Sequence, residues 1–406
     1  MKKVLILTWS LTGLLFLASC SDDDDNVTQT PEDLGLKSEY TVDRLRILDI
    51  DLNTVSYPNA EFEWTIKSKT TQEDSLTSTG KDFSFISLYS GTYSVTLKVK
   101  NGGETIEKQT YITVEKETGS YSPYIAKVYD FLPAIGQFTN DLPKWAEGDT
   151  RESMIAKASV ITGSSPGTIS LGGYGGYVVF GFDHSIINIQ GERDFKIRGN
   201  AFWADATPGQ KAGNCEPGII LVSYDKNKNG IPDDEWYEIA GSEYHKSETI
   251  KNYELIYHKP DPNATPVPGA EGWQTDIQYI RWTDNQGNTG YKTKNSYHKQ
   301  SYYPEWVSSP TLSFTGTKLA DNYIDQSGNG TYWTGKSYEY GYADNAPNND
   351  EASNIDISWA VDKNGTPVKL AGIDFVKVYT GTNQEAGWLG EVSTEVNGGY
   401  DLHIIN

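Results

Sequence analysis

Apolar and polar residues alternate along most of this chain. The runs AEFEWTIKS (60–68), DFSFISL (82–88), GTYSVTLKVKN (91–101) and KQTYITVEK (108–116) place apolar side chains at every second position, the period of a strand with one buried face. Turn residues separate the runs, and several short strands within about 80 residues predict a small β-sandwich. After Tyr121 the pattern turns helical once. GDTRESMIAKASVITG (148–163) offers an N-cap at Asp149 or Thr150 with good helix formers behind it, which predicts one helix. Strands then dominate: GTISLGGYGGYVVFGFD (167–183), DFKIRGNAFWA (194–204), GIILVSYD (218–225), EWYEIAG (235–241), and later IQYIRWTDN, TLSFTGTKLA, NIDISWAVD and GIDFVKVYTG. About ten antiparallel strands with one or two helices predict a larger jelly-roll-like double sheet. The expected fold class is therefore all-β. The Pro-rich stretch KPDPNATPVPGAEG (259–272) reads as a surface loop.

The N-terminus changes the picture of where such a fold would sit. MKKVLILTWSLTGLLFLASC (1–20) has a basic start, one apolar run and a small-residue end. These are the parts of a secretory signal, too short and wrongly flanked for a membrane span. Its ending, Leu17-Ala18-Ser19-Cys20, resembles the bacterial lipobox, which implies lipidation at Cys20 and anchoring by acyl chains. Residues 21–37 are acidic and aperiodic and read as a tether. The expected organisation is a signal peptide (1–20), a tether (21–37), an Ig-like domain (38–116) and a larger ligand-binding domain (117–406). The run Ser21-Asp22-Asp23-Asp24-Asp25 resembles the acidic export signal of Bacteroidetes lipoproteins, which implies the outer face of the outer membrane.

The formal net charge is −21, or −23 once Lys2 and Lys3 leave with the signal (−21 − 2). A surface this acidic repels phosphate backbones, so nucleic acid is not an expected partner; it suits the collection of divalent cations. The chain has two Cys. With Cys20 assigned to lipid, Cys215 stands alone as a buried thiol and no disulfide framework is expected.

The stretch DKNKNGIPDDEW (225–236) carries the sharpest chemistry. In an EF-hand-type loop, oxygens come from positions 1, 3, 5, 7 and 9, with Gly at 6 and a bidentate acid at 12. Asp225, Asn227 and Asn229 fill the first three places, Gly230 the turn, the Ile231 carbonyl position 7 and Asp233 position 9, while Trp236 at 12 cannot ligate. The expected metal set is Asp225, Asn227, Asn229, Ile231, Asp233 and Asp234. Hard oxygen donors without His or Cys favour calcium, here in a structural role; a hairpin with an Asn-Gly turn is the other reading. A second acidic group, Asp344, Asp350, Asp356 and Asp362, reads as a polar loop or a second metal site. Asp183, Asp194 and Glu216 have no spacing that identifies a catalytic pair. No nucleophile elbow, metal-spaced His or phosphate-binding Gly loop occurs, so no enzyme is expected.

Aromatic residues make up 12% of the chain, with 11 Trp. Trp273, Tyr302, Tyr303, Trp306, Trp333 and Trp388 lie among polar residues and are the expected ligand-binding group, since flat rings with polar rims suit sugar rings or a planar macrocycle. Tyr302, Tyr303 and Trp306 look the most exposed.

Two resemblances follow from these segments. FEWTI and GTYSVTLKVKN resemble the PKD module, an Ig-like domain that commonly acts as a spacer; the usual glycine-rich turn after its first strand is missing here. PAIGQFTNDLP, GGYGGYVVFGFDH, DFKIRGNAF, EPGIILVSYDKNKNGIPDDEWYEIAGSEY, YGYADNAP and GIDFVKVYTGTNQEAGWLGEVSTEV resemble a family of Bacteroidetes cell-surface lipoproteins found with TonB-dependent transporters, including those for cobalamin. The resemblance implies capture of an extracellular ligand at the outer membrane, first a corrinoid handed to a TonB-dependent transporter. A glycan-binding lipoprotein of a polysaccharide-uptake system, or an adhesin or structural envelope protein, are the alternatives.

Overall fold

The computed structural model describes residues 34–55, 57–67, 74–204 and 211–405. Cys20 and the acidic run after it lie outside the described residues. No helix among the described residues is long and apolar enough to cross a membrane.

The molecule is all-β, built from several packed sheets with a single α-helix among the described residues. Its N-terminal part is a five-stranded sheet in the order Glu39–Asp43, Glu104–Glu115, Gly91–Asn101, Glu61–Lys67, Asp74–Ser78, faced by the pair Leu48–Ile50 and Phe83–Phe85. The first strand joins the last in parallel. Alternation aims Val95, Leu97 and Val99 inward with Trp64, which is fully buried. Trp64 stacks on Phe83 at 4.8 Å and donates its Nε1–H to the Gly80 carbonyl at 3.0 Å, so the indole satisfies its polar end while burying its rings.

The rest of the chain is organised by a six-stranded sheet in the order Ala360–Val361, Tyr237–Ile239, Gly218–Ser223, Gly372–Thr380, Tyr177–Ile187, Lys127–Leu132. Its strands are apolar at consecutive positions because both faces are buried. Ile220, Val222, Val376 and Val378 enter one core with Phe131, Phe180 and the helix residues Met154 and Ala158. Ile219 and Tyr379 enter the opposite core. That second core is closed by a four-stranded sheet in the order Thr289–Asn295, Gln274–Asp284, Ile250–His258, Thr311–Lys318, which contributes Leu255, Tyr257, Ile280 and Phe314.

The helix spans Arg151–Ala158, with Thr150 as its N-cap in a reciprocal capping box with Ser153. Of the two caps the sequence offers, Asp149 instead takes the Ser153 hydroxyl and pairs with Lys157. The run NIDISWAVD departs from the expected strand. Asp356 accepts the Ser358 N–H at 2.9 Å and turns Ile357–Trp359 into a 3-10 helix, because a short carboxylate competes with strand pairing for its neighbours' N–H groups. Trp359 is accordingly half-buried against Arg193 and Tyr340, not in a strand core.

Candidate functional site

A cleft of about 710 Å³ opens on the outer face of the four-stranded sheet. Its floor is a row across three strands. Arg281 lies opposite Tyr291 in the antiparallel register, and His258, one residue beyond the Tyr257–Trp282 pair, brings its Nε2 to 3.5 Å from an Arg281 nitrogen. Side chains directly opposite on neighbouring strands share a face, which is why three residues far apart in sequence line one floor. Burial and the Arg281 charge hold the His258 imidazole below its usual range.

The Pro-rich loop after His258 forms one wall. It is held down where Asp276 Oδ1 accepts the Val267 and Gln278 N–H groups at 3.2 and 2.9 Å, and where the Ile277 N–H meets the Val267 carbonyl. Tyr303, Glu305 and Ser301 line the other side, with Tyr279 and Lys294 between. Lys294 Nζ lies 4.6 Å from the Tyr279 ring centroid and Lys259 Nζ lies 5.2 Å from that of Tyr303. The cleft thus offers ring faces, amide and hydroxyl groups and both signs of charge.

The structure divides the six aromatic residues expected to bind ligand. Tyr302 and Tyr303 are buried, each about 1% exposed, and correct the expectation of an exposed pair. Asn140 explains the burial: its Nδ2 donates to the Ser301 and Tyr303 carbonyls and its Oδ1 accepts from Glu305, which straps the segment inward. Tyr303 still lends an edge to the cleft. Trp306 is half-buried against Phe131 rather than exposed. Trp273 is half-buried at the end of the Pro-rich loop.

Trp333 and Trp388 meet elsewhere, at a turn the sequence reading passed over. Asp325-Gln-Ser-Gly-Asn-Gly330 repeats the frame of Asp225-Lys-Asn-Lys-Asn-Gly230. The Gly330 N–H donates to Asp325 Oδ2 at 2.7 Å, as the Gly230 N–H does to Asp225 Oδ2 at 2.8 Å. Where the first loop has Asp233, the second has Trp333. Its Nε1 donates to the Gly330 carbonyl and that of Trp388 to the Thr331 carbonyl, so indoles seal this turn.

The 225–234 loop instead gathers oxygens. Asn227 and Asn229 both donate to Asp233, Lys226 N–H donates to Asp234, and Asn229 N–H meets Asp225 and Asn227. Five of the six expected metal residues thus bond to one another or to the turn they enclose. The sixth, Ile231, accepts the Asp233 N–H with its carbonyl. Lys228, at the loop's tip, donates to the Ile47 carbonyl at 3.0 Å and pairs with Asp49 at 3.4 Å. The loop therefore touches the N-terminal sandwich.

Among the described residues, one group of acidic side chains could hold a metal: Glu216, Asp344 and Glu395, with one oxygen of each within 4.8 Å of the others. Asp344 receives the Asn200 and Ala201 N–H groups at 2.8 Å and the Glu395 N–H at 2.9 Å. A Cβ on Gly199 would lie 2.1 Å from Asp344 Oδ1, so only glycine lets this backbone close around the carboxylate. Burial, with mutual repulsion among the three, pushes the Glu216 and Asp344 carboxyls well above their usual range. An all-carboxylate set suits a hard cation such as calcium; otherwise the set holds protons. The sequence pairs these residues differently, because Asp350, Asp356 and Asp362 each cap their own turn and only Asp344 folds onto Glu216. Glu395 carries no local signal. Asp183 and Asp194 join another buried network, through His184, Asp401 and His403. Cys215 is fully buried beside the acidic group, with its thiol pushed up to about 12, mainly by burial.

No family model matches the chain, and no curated protein does. Among solved structures it is similar to a SusE-like protein, at 9% identity over 88% of this chain and 93% of that one, with a TM-score of 0.24. It is also similar to a quinonprotein alcohol dehydrogenase-like protein from Bacteroides thetaiotaomicron, at 13% identity over 25% of this chain and 22% of that one, with a TM-score of 0.18. Both TM-scores are too low to establish a shared fold or function.

Proposed function

We propose that this chain is a lipid-anchored, non-enzymatic surface protein of the outer membrane that captures saccharides in the cleft over His258, Arg281 and Tyr291 and passes them to a TonB-dependent transporter. The observation that carries the reading is the floor itself: an exposed tyrosine ring beside a guanidinium, walled by Tyr303 and the Pro-rich loop. A sugar presents a flat C–H face that packs on such a ring and hydroxyls that need charged or amide partners. The corrinoid reading has less behind it, because a broad macrocycle needs a wide apolar floor and this one is charged. An adhesin without a small ligand needs no such cleft.

Calorimetric titration of the purified protein with a panel of plant and host oligosaccharides tests the reading. Binding should weaken about tenfold, ~1.4 kcal/mol, in Tyr291→Ala. It should stay unchanged in Trp388→Ala, whose ring lies at the separate 325–331 turn. Folded protein that binds no saccharide in the panel would overturn the proposal.

We also infer that the 225–234 loop binds calcium as a structural ion. The convergence of Asp225, Asn227, Asn229, Asp233 and Asp234 on one turn supports this, as does the hard-oxygen character of the set.

A further inference from the structure

We propose that the cleft selects anionic saccharides, those bearing carboxylate or sulfate groups; the inference rests on the saccharide reading above and names its ligand class. Acidic residues outnumber Lys and Arg 55 to 34 in this chain, so a basic side chain readily finds a carboxylate. Lys259, Arg281 and Lys294 line one cleft, and none of them pairs with Asp or Glu among the described residues. Arg281 has His258 and Tyr291 beside it, Lys259 has the Tyr303 ring and the Val307 carbonyl, and Lys294 lies over the Tyr279 ring with Asp276 opposite it in the strand register.

The acids of the cleft are turned to other work. Asp276 Oδ1 holds the Val267 and Gln278 N–H groups, and Asp261 Oδ1 holds the N–H of Asn263. Both serve as loop ties, and Asp261 and Glu305 stand exposed while Asp276 is half-buried. Arg281 is therefore the cation best placed to meet an anion, since its register partner is Tyr291 and its hydrogen-bond neighbour is His258, with no carboxylate in ion-pair reach among the described residues. A guanidinium presents a planar fork that matches a carboxylate or sulfate in two parallel hydrogen bonds, and Tyr291 directly across the strand pair offers the ring for the sugar that carries the anion. The chain as a whole carries a net charge of −21 and repels polyanions, so an acidic glycan would be held here and excluded elsewhere.

The test titrates the purified protein with polygalacturonate, chondroitin sulfate and neutral pullulan at low and high NaCl. It repeats the series with Arg281→Gln/Lys294→Gln and with Tyr291→Ala. The expected result is binding of an acidic polymer at least about tenfold tighter than pullulan, weakened by salt and lost on removing the two cations. Free galacturonate and sulfate ion serve as controls. If they bind as tightly as the polymers, the site is one for small anions and the proposal falls. Equal binding of pullulan, unchanged in the double variant but lost in Tyr291→Ala, would overturn anion selectivity and leave saccharide capture standing. Absence of binding to every polymer would overturn both.

Discussion

Glu391 is 6% exposed and accepts the Gln137 N–H at 2.6 Å. Burial pushes its carboxyl from the ordinary 4.5 up to about 8, with the buried Glu385 adding to the rise and Lys292 opposing it. A carboxyl whose pKa is higher folded than unfolded keeps its proton in the native state. Its contribution to stability is complete below pH 4.5 and disappears as pH rises through 8. Glu391→Gln keeps the acceptor and removes the titration. Between pH 5 and pH 9 the wild type should lose about 4 kcal/mol more stability than the variant, read by urea unfolding at each pH. Equal losses in the two proteins would mean that Glu391 does not carry the proton. The same residue illustrates what stays hidden in a sequence. Nothing around NQEAGWLGE marks Glu391 as buried, because its partners Gln137 and Lys292 come from distant segments.

Elements were legible where one local rule decided them. Strict alternation in GTYSVTLKVKN matches the strand Gly91–Asn101 residue for residue. The helix was legible because caps and formers sit side by side in TRESMIAKA. Its start also gives a sharp check: Thr150→Ala should cost about 1 kcal/mol and Thr150→Ser close to nothing, by thermal unfolding followed by circular dichroism. An equal loss in both variants would show that the hydroxyl does not cap. Reading failed where one side chain, within the run or far from it, overrides the local pattern. NIDISWAVD alternates like a strand, yet Asp356 bends it. QSYYPEW looks exposed because its neighbours are polar, yet Asn140 draws Tyr302 and Tyr303 inward. The cleft was missed for the same reason. Its floor is a cross-strand row, His258–Arg281–Tyr291, visible only once the registers of three strands are known, and the Pro-rich stretch that walls it reads from sequence as a loop without a task.

At the scale of the whole molecule, the two parts of the chain are tied where the 225–234 loop meets the N-terminal sandwich. Lys228 reaches Ile47 and Asp49. Nearby, Arg46 donates to the Asp183 carbonyl at 2.7 Å and the Ser185 N–H to the Leu45 carbonyl at 2.9 Å. Lys228 takes a left-handed backbone, φ 59°, which a non-glycine residue adopts only when its surroundings enforce it. Calcium in this loop would fix that conformation and so hold Lys228 against the sandwich, coupling ion binding to the angle between the two parts. Calorimetry of the intact chain with calcium should then show one joint transition, and with chelator two, the sandwich melting first. Asp225→Ala should behave in calcium as the wild type does in chelator. Lys228→Ala should split the transitions while leaving calcium affinity within about threefold, since its ammonium points away from the loop's oxygens and a solvent-accessible pair contributes about 1 kcal/mol or less. If calcium shifts neither transition, the loop is a hairpin whose carboxylates only close their own turn, and the Lys228, Arg46 and Leu45–Ser185 contacts join the parts without an ion.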